Sequence, residues 1–225
     1  MYITEAPARQ QAFLVLCSGG LDSAVTLALA HANLKPGGRI YTLAFDYGQR
    51  HVRELESSMA LALHYHAIPH VRTIEALSKY HGLRKADDVV EASLTGYQLM
   101  PTTWKPARNI VMLALAAAEM WTYDLNIVAG GWHQEDYPGY PDCRMIFLAE
   151  MEQAMASGTA HPIRIWAPIL YKTKTQIVKL GLELGVPFEK TWSCYAGGAA
   201  PCHECDACVR REAAFLNNMM KDPLQ

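Results

Sequence analysis

The sequence predicts an α/β protein: a doubly wound, Rossmann-like parallel sheet with a small four-cysteine appendage at its C-terminal end. Three observations predict it. Short apolar runs at residues 12–17, 39–45, 126–130 and 163–167 alternate with stretches of helical periodicity, as strands linked by crossover helices do. The first run leads into Ser18-Gly19-Gly20-Leu21-Asp22-Ser23, a strand-to-helix glycine turn. Four of the six cysteines crowd into the stretch from Cys194 to Cys208.

Residues 12–17 are apolar without alternation, which reads as a strand buried on both faces. Beyond Asp22, apolar side chains recur at helical spacing (Val25, Leu27, Ala28, Leu29). Gly19 and Gly20 allow positive φ and close backbone approach, and the helix start turns unpaired N–H groups toward the turn. Such a cradle suits an anion, most often phosphate; an ordinary tight turn is the alternative. The Lys-Ser/Thr pair of a Walker loop is missing, as is the G-x-G-x-x-G of dinucleotide sites.

Residues 35–38 (Lys-Pro-Gly-Gly) form a turn before the second strand, which ends at Asp46, on the carboxyl side of the sheet where ligands bind. A helix over 52–63 and a strand over 70–74 follow; His51 is either a general base or a locally bonded residue at the helix start. Residues 77–104 show no clear period and read as a lid, a substrate-side excursion or a long connection. Arg108 and Asn109 open the apolar helix 110–121. An arginine there opposes the helix dipole, which implies an anionic neighbour. The strand 126–130 leads into a loop, 131–144, with two prolines, three aromatics and three carboxylates, more chemistry than a plain link requires. Asp142 is an expected N-cap for the helix that runs to about residue 156. After the last strand, a helix begins near Lys172 and Lys174 and stops at Gly185. Lysines at a helix start are unfavourable for the dipole and would be explained by a bound phosphate, with Lys174 the better candidate.

The chain has 225 residues, 51% of them hydrophobic, enough for one sizeable core. A net charge of −2 gives no basic surface for nucleic acid. Residues 1–11 lack a signal-peptide core, and the longest apolar run, 110–118, is too short to span a bilayer. A cytoplasmic location with no membrane partner is therefore expected.

Cys194, Cys202, Cys205 and Cys208 are spaced C-x7-C-x2-C-x2-C. Two overlapping C-x-x-C steps can aim thiolates at one ion, and Cys194 can close a tetrahedron from the preceding loop. Four thiolates suit a structural zinc; an iron–sulfur cluster is the rival. Cys17 and Cys143 read as small buried residues. His133-Gln134-Glu135 with Pro201-Cys202-x-x-Cys205 also matches the H-x-E … P-C-x-x-C pattern of zinc nucleobase deaminases, but leaves Cys194, Cys208 and the glycine turn unexplained.

The glycine turn resembles the S-G-G-x-D-S pyrophosphate loop of adenylating ATPases, which split ATP between its α and β phosphates. That resemblance gives the nucleotide to Cys17, Ser18, Gly19, Gly20, Leu21, Asp22, Ser23, Ala24, Val25, Thr26 and Leu27. Ser18 and Ser23 would be hydroxyl donors, Asp22 would hold the loop or a magnesium ion, and Asp46 would join the nucleotide site. With Asp46-Tyr47-Gly48-Gln49-Arg50-His51, Pro106-Ala107-Arg108-Asn109, Gly139-Tyr140-Pro141-Asp142-Cys143-Arg144 and Thr191-Trp192-Ser193-Cys194-Tyr195, nearly the whole chain resembles the 7-cyano-7-deazaguanine synthase family of queuosine and archaeosine precursor synthesis. The resemblance implies an ATP-dependent ligase that turns 7-carboxy-7-deazaguanine and ammonium into a nitrile through acyl-adenylate and amide stages. It implies ATP and Mg2+ with Asp22, Arg108 and Lys174 as catalytic residues, Asp136, Tyr140 and Asp142 facing the deazaguanine, and Zn2+ on Cys194, Cys202, Cys205 and Cys208. The corresponding division is an adenine-nucleotide domain over 1–190 and a zinc-binding segment over 191–225 packed on it. A homodimer is common in the resembled family.

The sequence departs from the family pattern at Trp132-His133 (usually Val-Asn), at Met145 (usually proline) and at His203 (usually glycine). The first of these bears on the substrate and leaves an enzyme that stops at the amide as an alternative. A tRNA-thiolating relative would share the loop and a zinc site, but would bring a basic face. A nucleotide-binding module without catalysis would not need Arg108 and Lys174.

Overall fold

The structure, a computed structural model, describes residues 3–48, 52–75, 106–196 and 198–225. Five strands form one parallel sheet: β1 (Gln10–Leu16), β2 (Leu34–Asp46), β3 (Ile68–Thr73), β4 (Ile127–Ala129) and β5 (Arg164–Trp166), in the order β3-β2-β1-β4-β5. Around it lie α1 (Leu21–Ala32), α2 (Val52–His64), α3 (Arg108–Thr122), α4 (Met145–Thr159), α5 (Lys174–Glu183) and α6 (Asp206–Leu216). The expected doubly wound sheet is thus present. His51 and residues 77–104 lie outside the described residues.

Alternation along the central strand builds two cores. Phe13, Val15 and Cys17 face one side with α1, Leu61 of α2, Ile177 of α5 and Phe215 of α6. Leu14 faces the other with Leu43, Val128, Leu113 and Met120 of α3, and Leu148 and Met155 of α4. Burial on both faces is why this strand reads as an unbroken apolar run.

One local expectation fails. Residues 35–38 do not separate a turn from a strand: β2 begins at Leu34, opposite Gln10, and its register with β1 shifts before Ala12 meets Arg39. The Lys-Pro-Gly-Gly stretch is an irregularity inside the extended segment. The remaining helices and strands fall within a few residues of their predicted positions, and α5 ends just before Gly185. No helix among the described residues is long and apolar enough to cross a membrane.

Candidate active site and thiolate cluster

In this order the winding of the parallel strands reverses between β1 and β4, and the loops leaving those two strands meet at the carboxyl edge of the sheet. The turn after β1 has Gly19 at φ +87°, whereas Gly20 is extended (φ −77°) and caps α1. Positive φ is therefore needed only at Gly19. A Cβ there would lie 2.2 Å from the Glu54 carbonyl oxygen, so only glycine lets the turn pass α2. Ser58 Oγ donates to the Cys17 carbonyl at 2.7 Å and Ser23 Oγ to the Gly20 carbonyl at 2.9 Å, holding the turn from below. Ser23 is buried and its proton is engaged inside the turn; Ser18 is exposed at the mouth. Leu21, Ala24, Val25 and Leu27 pack in the core, and Thr26 Oγ1 donates to the Asp22 carbonyl. What these five offer the turn is position, not side-chain contacts with a ligand.

The loop after β4 lies against this helix start: a Cβ on Gly131 would come within 3.0 Å of the Asp22 carbonyl carbon. That contact brings together residues far apart in sequence. Lys174 Nζ donates to both Asp22 oxygens at 2.7 Å, and His133 Nε2 lies 3.3 Å from Lys174 Nζ. His133 Nδ1 lies 3.2 Å from the Glu135 backbone N, and its Nε2 lies 3.3 Å from Asp136 Oδ2. Burial alone would raise the Asp22 pKa, but Lys174 and then His133 outweigh it and hold it below the ordinary value. Asp136 goes the other way: burial, helped by Asp22, raises it against His133 and Lys174.

The start of α5 meets an anion of the protein itself. The Lys174 backbone N–H donates to Glu135 Oε1 at 2.6 Å, and Thr173 with Gln176 forms a capping box. The anion at this helix start is Glu135, which also pairs with Arg210 of α6 at 3.5 Å. Asp142 is not the N-cap of α4, which is Arg144. Its Oδ2 instead accepts the Asn109 backbone N–H at 3.1 Å and Asn109 Nδ2 at 3.0 Å, closing the first turn of α3 from a neighbouring loop. Its other oxygen, Oδ1, is buried with no hydrogen-bond partner among the described residues.

Arg108 has in the Asp142 carboxylate an anionic neighbour of the kind that the sequence implied. Burial works against its charge, but Tyr47, Asp142, Cys143 and Tyr140 outweigh it and raise its pKa. Beside it the Glu54 carboxyl is pushed by burial to about 7, with Arg108 opposing the rise. Asp46, at the end of β2, accepts the Gly48 N–H at 3.1 Å. The structure thus brings Asp22 and Lys174 together at the turn, and Arg108, Asp142 and Tyr140 together beside it. Glu54 escaped the sequence reading, and Glu135 entered it only in the deaminase pattern, not as the partner of Lys174 and Arg210.

The four predicted cysteine ligands converge: the Sγ atoms of Cys194, Cys202, Cys205 and Cys208 all lie within 4.8 Å of one another. Tetrahedral zinc with Zn–S of about 2.3 Å sets its sulfurs about 3.8 Å apart, and Cys202 and Cys208 stand at 4.0 Å. Backbone N–H groups of Ala196 and Cys202 point at Cys194 Sγ (both 3.4 Å), and that of Cys205 at Cys202 Sγ (3.3 Å), as suits thiolates. The cluster fits a metal ion. Among the described residues His133 is no part of it, and its Nε2 faces Asp136 and Lys174 instead, which removes the deaminase arrangement.

Residues 12–219 match the family model described as queuosine biosynthesis protein QueC. The chain belongs to the QueC family. It is 40% identical over 220 residues to the 7-cyano-7-deazaguanine synthase of Thermoplasma acidophilum, covering 94% of this chain and 90% of that one. The synthase of Picrophilus torridus is 42% identical over 207 residues, covering 89% and 85%. Among solved structures, the U34-tRNA thiolase NcsA from Methanococcus maripaludis, with its [4Fe-4S] cluster, is similar in fold at a TM-score of 0.52 and 13% identity, over 95% of this chain and 67% of that one. The family and the fold expected from the sequence are both borne out.

Proposed function

We propose that this QueC-family chain converts 7-carboxy-7-deazaguanine and ammonia to 7-cyano-7-deazaguanine, using ATP at each of two stages. The observation that carries this is the family match from residue 12 to 219, which runs unbroken through the glycine turn, the β4 loop and the cysteines.

A carboxylate is a poor electrophile. Its oxygen attacks the α phosphorus of ATP and pyrophosphate leaves; ammonia then displaces AMP to give the amide. In the second stage the amide oxygen attacks the α phosphorus of a second ATP and pyrophosphate leaves; breaking the C–O bond then releases AMP, and loss of both N–H protons leaves the nitrile. The glycine turn and the start of α1 would cradle the phosphates, and Ser18, exposed at the mouth, would donate to them. Lys174 and Arg108 would neutralise charge as pyrophosphate departs, with Asp22 aiming Lys174. Because Asp22 is engaged by Lys174, magnesium would be held chiefly by the phosphate oxygens themselves. Asp142 Oδ1, buried and unpartnered, suits the amino edge of a deazaguanine, with Tyr140 and Asp136 beside it.

Zinc, bound by Cys194, Cys202, Cys205 and Cys208 with no ligand position left open, would supply cross-linking rather than chemistry to the segment 191–225. All six cysteines are free, consistent with a reducing cytoplasm. The test is mass spectrometry of products from purified protein, Mg-ATP, ammonium and 7-carboxy-7-deazaguanine. Nitrile with AMP is the expected result. Amide alone would mean that the loop carrying Trp132-His133 halts the reaction after one adenylation, and no AMP at all would overturn the synthase.

A further inference from the structure

Between the thiolates and the glycine turn runs a strap of four residues, 191–194, tied at both ends and in the middle. At its far end Cys194 contributes a thiolate, and its carbonyl accepts the Trp192 indole N–H at 3.0 Å. At its near end Thr191 Oγ1 accepts from Arg211 of α6 at 2.6 Å, one turn beyond Cys208. In the middle the Trp192 backbone N–H donates to the Gly19 carbonyl at 2.9 Å. The Trp192 ring is buried, with the Arg53 guanidinium of α2 4.9 Å from its centre.

Gly19 is therefore gripped from two sides. On one, the Glu54 carbonyl leaves no room even for a Cβ; on the other, Trp192 fixes the direction of the Gly19 carbonyl. The direction of that peptide decides where the next N–H groups of the turn point. An ion among the four thiolates would lock Cys194 to Cys205 and Cys208 at the head of α6, and so fix the strap at the end that Arg211 does not hold.

We propose that the thiolate site and the glycine turn are energetically coupled through this strap, with Trp192 as the positioning residue: metal at the thiolates sets the Gly19 peptide in the form that binds nucleotide. The coupling rests on the reading of the turn as a nucleotide site and of the thiolates as a zinc site. It is a statement about affinities, so it is reciprocal: zinc tightens nucleotide, and nucleotide tightens zinc by the same factor.

The experiment measures zinc affinity by competition with a chromophoric chelator, with and without Mg2+ and the non-cleavable analogue α,β-methylene-ATP. Calorimetry gives the affinity for the analogue in zinc-loaded and zinc-stripped protein. In the wild type the two routes should give one coupling factor, roughly tenfold. In Trp192→Ala it should fall below about twofold while zinc still binds. Should that variant not fold, Trp192→Phe keeps an aromatic ring and the backbone bond and loses the indole N–H with part of the bicycle; its coupling should fall at least about threefold. A wild-type factor of one overturns the link, and an undiminished factor in the variants overturns the role of Trp192. If zinc-loaded wild type binds no analogue while the zinc titration remains normal, the nucleotide site itself is wrong and the link fails with it.

Discussion

Replacing Arg211 by methionine tests whether the C-terminal segment is held by charge in the interior. Arg211 and Asp222 are each only 4% exposed at the side chain, and their pair is bidentate, at 2.7 and 3.0 Å. The guanidinium also donates to Thr191 Oγ1 at 2.6 Å and to the Phe188 carbonyl at 3.0 Å. Methionine fills similar space but strands the Asp222 carboxylate in the interior, and breaking a buried pair in this way costs about 3–5 kcal/mol. For a chain of this length each kcal/mol lowers Tm by about 2–4 °C, so a fall of about 6–20 °C is expected. The double variant Arg211→Met/Asp222→Asn removes both charges, and the amide can still accept the Leu224 N–H. Thr191 Oγ1 and the Phe188 carbonyl already bond each other at 2.7 Å, so neither is orphaned. The remaining cost is one or two hydrogen bonds, about 1–2 kcal/mol. Urea unfolding followed by circular dichroism, at one fixed zinc concentration, measures both variants. A single variant that loses less than about 1 kcal/mol, or a double variant no better than the single, would refute the reasoning.

Gly19→Ala would set its Cβ 2.2 Å from the Glu54 carbonyl oxygen and require φ +87°; pyrophosphate release should be abolished, which a coupled phosphate assay reads. Lys174→Met should slow that release by about 10²-fold or more, leaving Asp22 without its cation; a near-normal rate would exclude Lys174 from charge stabilisation. Glu54, raised by burial from 4.5 to about 7, contributes stability that is fully present below about pH 4.5 and lost as pH rises through about 7. Wild type should therefore lose up to about 3 kcal/mol relative to Glu54→Gln over that window, read from urea midpoints at each pH. Asp142→Asn should keep an acceptor for Asn109 and turn its amide N–H2 toward Arg108, raising KM for the deazaguanine acid about tenfold in a product assay while KM for ATP holds.

The strands and the glycine turn were legible because their signals are local: an unbroken apolar run, a glycine at a sharp reversal, a helical period. The cysteines were legible for the same reason, since three of four ligands lie within one turn of chain. The partnerships across the crevice were not. Lys174 was singled out on the helix dipole alone, but its partner Asp22 lies on another helix, and no spacing rule joins them. Glu135 sits at the α5 start beside Lys174, yet a carboxylate inside the loop after β4 carries no mark of the helix start that it will meet. Asp142 was correctly picked as a helix-capping type and assigned to the wrong helix, because sequence adjacency stands in poorly for contact. Arg211 gave no signal, since an arginine in a polar helix looks solvated until Asp222 packs on it, and Trp192 entered only as one letter of a family motif, with no hint of its bond to Gly19.

The strand order also governs how the chain can be assembled as it is made. β1 pairs early with β2, its neighbour in sequence, but its other edge waits for β4, with Leu14 opposite Val128. Phe13 and Val15 wait longer still for Ile177 and Phe215, which belong to the last two helices. On the ribosome the β1–β3 half can form while one of its apolar flanks remains uncovered, and long-range parallel pairing of this kind is slow. The stretch that carries Arg211 and Asp222 closes that interior only after the sheet has formed, so loss of the Arg211–Asp222 pair should leave the β1–β3 half prone to aggregate during synthesis.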